Sequence, residues 1–296
     1  MIHKPVLLKE TIEYLNLKEG MTVVDATIDG GGHAREILKI IGPRGKLFGI
    51  DQDDGMIQRL KDEGLGENLF LINGNFKDLD KLVPEKVDAI LFDLGLSSLQ
   101  LEESGRGFSF KKDEPLIMTF KQNLGPDDLT AQEILNNWSE RDIGEIIFRY
   151  GEERYAKRIA RGIVERRNVN PIMTTTELVE IIRKSVPFWY RNQSRQGKIN
   201  CATKTFQALR IAVNDELKSL KEGLESGLNI LAPNGRMAVI SFHSLEDRIV
   251  KNFIKEKVAN GEVNNLTKKP ITPQEQERLE NPRSRSAKLR VIQRLI

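Results

Sequence analysis

The sequence predicts an α/β fold in which a doubly wound parallel sheet is interrupted by an all-helical insert. Short β-rich runs alternate with helical patterns through the first hundred residues. That rhythm stops over 102–198, where apolar residues recur only at helical spacing, and it resumes from about residue 203. Strand–helix–strand repeats build parallel sheets, because a parallel neighbour is reached only through a crossover. The predicted division is a discontinuous sheet domain, 1–101 and 199–296, around a helical domain, 102–198.

Each element has a local reason. Thr22–Thr27 (T-V-V-D-A-T) reads as a buried strand, followed by three glycines and a helix over His33–Ile41. Lys46–Asp51, Leu69–Asn73 and Val87–Leu94 read as three further strands. In the insert, Ser139 with Asp142 signals a helix start, and Ile143, Ile146, Ile147 and Tyr150 follow at helical spacing up to Gly151, a C′ glycine in this reading. Tyr155, Ile159 and Ile163 mark the next helix; Thr174 and Glu177 open another. A long helix is expected from Thr203 to Leu231, bent near Gly223–Gly227. After a turn at Pro233–Gly235 come a strand, Arg236–Phe242, a helix from Leu245, and a last strand at Leu289–Leu295.

Composition narrows the chemistry. Among 296 residues, 39% are hydrophobic and 30% charged, as in soluble globular proteins. No apolar run approaches the ~18–20 residues of a membrane span. Met1–Glu10 carries neither a signal-peptide nor a transit-peptide pattern, which predicts a cytoplasmic protein. A single cysteine, Cys201, excludes an internal disulfide and a C-x-x-C zinc site, and with three histidines (His3, His33, His243) no metal is expected.

Charge is unevenly placed. Ile181–Asn214 contains no acidic residue but seven basic ones, including Arg191, Arg195, Lys198 and Lys204, with Phe188, Trp189, Tyr190 and Phe206 among them. A second acid-free segment, Asn281–Ile296, carries Arg283, Arg285, Lys288, Arg290 and Arg294. Basic residues interleaved with aromatics suit looped or single-stranded RNA; a solvated basic surface is the alternative.

Ligands of open parallel sheets bind beyond the carboxyl ends of the strands. Three polar features fall there. D-A-T-I-D-G-G-G-H (25–33) offers a close backbone approach and a helix N-terminus. Asp51 ends the second strand about twenty residues later, where a carboxylate can grip a ribose diol or cap a helix. The dinucleotide pattern G-x-G-x-x-G fails, since counting from Gly30 its last position is Arg35, so a smaller nucleoside such as S-adenosylmethionine fits better. Asp93, opening D-L-G-L-S-S-L-Q, ends the fourth strand, where an exocyclic amine would need an acceptor.

These residues sit in longer motifs. H-K-P-V-L-L-K-E (3–10), G-I-D-Q-D (49–53), D-L-G-L-S-S-L-Q (93–100), R-G-F-S-F (106–110), Y-G-E-E-R (150–154), T-F-Q-A-L-R-I (205–211), S-F-H-S-L-E-D-R-I-V-K (241–251) and N-P-R-S-R-S-A-K-L-R (281–290) run nearly end to end. In them the chain resembles the bacterial 16S ribosomal RNA (cytosine-N4)-methyltransferases. The resemblance implies a Rossmann-like class I methyltransferase sheet, S-adenosylmethionine as cofactor, and a cytidine of the small-subunit decoding centre as target. It implies cofactor contacts at Gly31, Gly32, His33, Asp51, Phe76, Asp93 and Gln100. Read from the sequence alone, Phe76 could equally be core and Gln100 a loop residue.

Asp93 is the candidate catalytic group, with His243 a lesser candidate for proton acceptor. Arg191, Arg195, Lys198, Lys204, Arg283 and Arg285 are the candidate RNA contacts, and no membrane partner is expected. Three departures from the family pattern stand out: Asp29 for a glycine, Ile117 and Thr119 for a charged pair, and N-C-A-T-K (200–204) for H-P-A-T-R. The last two define a second reading, an RNA-binding protein of the same fold with weak or altered methylation. A base deaminase needs H-x-E and P-C-x-x-C, which one cysteine cannot supply.

Overall fold

The computed structural model describes residues 5–126, 128–192 and 200–295. The chain forms two compact units, Met1–Ser97 with Leu217–Ile296, and Ser98–Glu216.

The first unit is built on a seven-stranded sheet: β1 (Thr22–Asp25), β2 (Lys46–Asp51), β3 (Leu69–Asn73), β4 (Val87–Asp93), β5 (Leu231–Ser241), β6 (Val263–Asn265) and β7 (Lys288–Arg294). Their order is β3-β2-β1-β4-β5-β7-β6. The first five pair in parallel, whereas β7 runs antiparallel to both β5 and β6. This is the α/β, mostly parallel arrangement that the sequence predicts, and both faces are covered. On one face Val24, Phe48, Ile90, Phe92 and Val239 pack with Leu220, Leu224 and Leu228 of α12 (Glu216–Ile230) and Val250, Phe253 and Ile254 of α13 (Ser244–Ala259). On the other, Val23, Leu47, Leu91, Ala238 and Leu289 pack with Leu15 of α1 (Leu8–Leu15), Ile37 and Ile41 of α2 (Gly32–Ile41) and Leu60 of α3 (Asp54–Glu63). Burial on both sides is why β4 reads as a nearly continuous apolar run.

The second unit is helical: α5 (Ser98–Glu102), α6 (Ala131–Asn137), α7 (Glu140–Gly151), α8 (Ala156–Arg167), α9 (Thr175–Ser185), α10 (Phe188–Arg191) and α11 (Thr203–Asn214). Among its described residues the only β pairing is an isolated bridge between Pro115 and Thr174. The caps fall where the sequence places them. Ser139 accepts from Asp142 N–H, and Thr174 with Glu177 forms a full capping box.

Four local details differ. The long helix breaks at Asp215, whose φ of 48° is left-handed, not at Gly223–Gly227. α11 consequently belongs to the helical unit, which extends to Glu216 instead of ending at 198. Gly151 is the last helical residue, and the left-handed cap is Glu152. The glycine is there because a Cβ would lie 2.5 Å from the backbone oxygen of Lys204 on α11. Strand β6, three residues long, has no alternation long enough to read in sequence.

Candidate functional site

The strand order reverses between β1 and β4, so their carboxyl ends flank the switch point of the sheet. The loop from Thr27 to Gly31 is stitched across that point. Thr27 Oγ1 accepts from Asp93 N–H at 2.7 Å, Ile28 N–H donates to Ile50 O, and Asp29 N–H donates to Asp51 Oδ2 at 3.0 Å. Asp29 has φ 44° and Gly31 φ 72°, so the departure from glycine at 29 keeps the left-handed turn that Asp tolerates. Gly31 precedes α2, whose first residues are Gly32 and the buried His33.

His33 and the two flanking carboxylates form one buried cluster. His33 Nε2 lies 3.1 Å from the carbonyl oxygen of Val6, which can only accept, so that nitrogen carries hydrogen. Nδ1 lies 3.4 Å from Asp93 Oδ2. Burial lowers the His33 pKa, but the hydrogen bond and charge of Asp93, with the charge of Asp25 behind them, raise it on balance. Asp25, 1% exposed at the end of β1, is pushed by burial up to about 7, against the lowering effect of His33. The other Asp93 oxygen, Oδ1, is buried with no hydrogen-bond partner among the described residues.

Asp25 is the residue that sequence reasoning passed over. It lay inside the quoted D-A-T motif, but a carboxylate at a strand end looks alike whether it faces solvent or a histidine.

Asp51 is not a helix cap; that role belongs to Asp53, which accepts from Gly55 N–H. Instead the Asp51 carboxylate is oriented by two backbone donors, Asp29 N–H on Oδ2 and Asp53 N–H on Oδ1. Burial pushes its pKa up to about 7, an effect that the Asp53 N–H opposes. Each oxygen retains a further lone pair for a hydroxyl. Phe76 sits half-buried after β3, edge-on to Phe92 at 5.7 Å and against Gly223, where an added Cβ would stand 2.5 Å from its ring. Its ring is thus an extension of the core just after β3. Gln100 is buried on α5 and belongs to the helical unit.

His243 caps α13. Its Nδ1 accepts from Glu246 N–H at 3.4 Å, Nε2 lies 3.0 Å from Glu246 Oε1, and Glu246 Oε2 accepts from Phe242 N–H. With Nδ1 accepting from the first turn of α13, the geometry gives this imidazole a capping task.

The basic candidates divide. Arg191 lies on α10 with its guanidinium 5.6 Å from the Phe188 ring centroid. Lys204 Nζ donates to the Glu152 carbonyl at 2.8 Å, tying α11 to the end of α7. Arg283 and Arg285 stand on a short 3₁₀ turn, Pro282–Ser286, with Arg285 exposed. Arg195 and Lys198 lie outside the described residues. Four further charges of the two acid-free segments are spent internally. Lys288 Nζ and Arg290 Nε hold the two oxygens of Asp247 at 2.9 and 2.8 Å, Arg294 donates to the Leu228 and Leu231 carbonyls, and Arg210 grips Glu216 through two bonds.

The departures at 117–119 and 200 are also accommodated. Asn214 Nδ2 donates to Met118 O at 2.7 Å while its Oδ1 accepts from Phe120 N–H, so the segment holding Thr119 is clamped on both sides. Asn200 Oδ1 accepts from Ala202 N–H at the start of α11.

A cluster of carboxylates, with one buried oxygen unsatisfied, suits a cationic ligand; the doubly oriented Asp51 suits a vicinal diol. Known methyltransferases are similar to the chain along its whole length. Ribosomal RNA small subunit methyltransferase H of Clostridium botulinum is 44% identical over 316 residues, covering 99% of each chain, and its namesake in Heliobacterium mobile matches to the same extent. The solved rRNA methylase from Streptococcus thermophilus aligns over 100% of this chain and 99% of its own, at 14% identity and a TM-score of 0.46. The model of the MraW methylase family matches residues 1–295, and the chain belongs to that family.

Proposed function

We propose that this enzyme transfers a methyl group from S-adenosylmethionine to the N4 amine of a cytidine in 16S ribosomal RNA, at the decoding centre of the small subunit. The relatives' name and family membership support the RNA and the methyl transfer. The observation that carries the chemistry is the Asp25–His33–Asp93 cluster at the switch point, one oxygen of which is buried and unsatisfied.

The cofactor, when bound, supplies an electrophilic methyl group on a positively charged sulfur. Everything else falls to this chain. Gly31 and Gly32 admit the ligand close to backbone, and Asp51 accepts from the ribose hydroxyls. Phe76 flanks the adenine by one edge of its ring.

Asp93 has the acceptor role. The cytosine amine is a weak nucleophile because its lone pair is delocalised into the ring. An acceptor on its N–H turns the nitrogen toward the methyl group and takes up the proton released. Asp93 Oδ1 is that acceptor, and His33 behind Oδ2 holds the carboxylate in place. Gln100 completes the cofactor contacts. Arg191, Arg195, Lys198, Lys204, Arg283 and Arg285 attract the RNA backbone. The target base must leave its stack to reach the methyl group. The substrate is RNA within the small subunit, which places the protein in the cytoplasm; no described helix is long and apolar enough to cross a membrane.

The deciding experiment maps N4-methylated cytidines in small-subunit RNA from cells with and without the protein, alongside transfer of a radiolabelled methyl group in vitro. A methylated cytidine that disappears with the protein is expected. Methylation elsewhere, or none, overturns the reading.

A further inference from the structure

Arg154, in the turn between α7 and α8, has its guanidinium 5.0, 4.8 and 5.0 Å from the ring centroids of Tyr155, Trp189 and Tyr190. The rings also pack on one another: Tyr190 meets Tyr155 at 5.0 Å and Trp189 at 5.8 Å, both nearly edge-on. A buried carboxylate fixes the arrangement. Glu153, 0% exposed, accepts from Tyr190 Oη at 2.6 Å through one oxygen and from Tyr155 N–H at 2.8 Å through the other. The Y-G-E-E-R motif therefore pins α10 by its fourth residue while the motif's last residue lies among the rings.

The outer side of this cluster is exposed among the described residues. Trp189 is 54% and Phe188 72% exposed, with Arg191 over the Phe188 ring. Two large aromatics on one four-residue helix are an unusual apolar display for a surface, and here each is flanked by a guanidinium. No acidic residue occurs in the surrounding sequence from Ile181 to Asn214. Flat apolar faces within a positive field fit a partner that is itself flat and bears negative charge.

We propose that Trp189 and Phe188 form a stacking platform for an unpaired nucleobase of the RNA substrate, with Arg154 and Arg191 taking the adjoining phosphates. The platform rests on the RNA reading above, but it assigns a separate contact, made by bases beside the one that is methylated. Stacking tolerates any base, so the platform grips unpaired RNA as a class and leaves sequence choice to other contacts.

The test uses the full chain with Trp138→Phe, which leaves Trp189 as its only tryptophan. The probes are a short single-stranded oligocytidylate and a base-free ribose-phosphate oligomer of equal length. Oligocytidylate should quench Trp189 fluorescence along the binding curve, and the base-free oligomer should not. Trp189→Ala should weaken oligocytidylate binding about tenfold or more, while Trp189→Phe restores most of it. The salt dependence should keep its slope in Trp189→Ala and lose about one unit in Arg154→Ala. Tight oligocytidylate binding with unaltered fluorescence and an indifferent Trp189→Ala variant overturns the platform while leaving methyl transfer to RNA intact. Quenching by a purified small-subunit protein in place of the oligomers overturns it in favour of a protein partner. Absence of methyl transfer in the mapping experiment overturns the underlying reading instead.

Discussion

His33 Nδ1 faces Asp93 Oδ2 at 3.4 Å while the opposite ring nitrogen is committed to the Val6 carbonyl, so the imidazole links the Asp93 carboxylate at the end of β4 to the backbone ahead of α1.

The first consequence is kinetic. Asp93→Asn preserves shape but removes the charge and the proton acceptor. Single-turnover methylation at saturating cofactor and RNA should fall by about a hundredfold or more, the usual size of an acid–base contribution. A normal saturated rate with weakened cofactor affinity would reassign Asp93 to binding.

Asp51→Ala removes a carboxylate held by two backbone donors, and with it hydrogen bonds worth roughly 1.5–3 kcal/mol each. Calorimetric titration should show at least a tenfold loss of S-adenosylmethionine affinity in a folded variant. Unchanged affinity places the ribose elsewhere.

A pH dependence follows from the two raised carboxyls. Burial keeps Asp25 and Asp51 protonated up to about 7 in the folded chain, against 3.8 for an ordinary Asp carboxyl. Between those values the folded chain binds more protons than the unfolded one, so these groups make the ligand-free protein less stable as pH rises. The cationic, hydroxyl-bearing cofactor prefers the ionised carboxylates, so its affinity should climb between pH 6 and 8 and then level. The climb should shrink in Asp25→Asn, where Asp29, Asp93 and His33 remain. A flat profile in the wild type contradicts the assignment.

Charge in the C-terminal segment should separate by function. Arg285→Ala should flatten the salt dependence of RNA binding by about one log–log unit without lowering Tm. Arg290→Ala strips one of two cations from Asp247, which is mostly buried, and should lower Tm while leaving the salt slope alone. Equal behaviour of the two variants would mean that the segment acts as a diffuse basic surface.

Packing supplies a last case. Gly151→Ala should destabilise by about 1–3 kcal/mol by chemical denaturation, although alanine favours helix by about 1 kcal/mol, because its methyl meets backbone on α11. A neutral or stabilising result would mean that α7 and α11 can separate at no cost.

These cases show what the sequence reveals and what it hides. Strands β1, β2, β4 and β5 were legible because burial on both faces leaves nearly continuous apolar runs, and the caps at Ser139 and Thr174 because local hydrogen bonds need only neighbouring residues. The left-handed Asp29 was legible for the same local reason. What stayed hidden depends on distant partners. Glycine at 151 answers to a backbone oxygen on another helix. The tail's Lys288 and Arg290 look free until Asp247 is placed beside them. Phe76 looks like a ligand contact or a core ring until Gly223 shows what it packs on.

The placement of β5 has a consequence for the order in which the protein can be assembled. β4 leaves the ribosome before the helical unit and β5 after it, yet the two strands are hydrogen-bonded neighbours. During synthesis β4 must wait with one edge unpaired and its apolar residues Ile90 and Phe92 awaiting α12. Pairing across so long an interval is slow, and an unpaired edge in the meantime invites association with other chains. The helical unit closes from its own local contacts while that edge is exposed. An enzyme of ribosomal RNA thus depends, for its own completion, on the pace at which a ribosome delivers its second half.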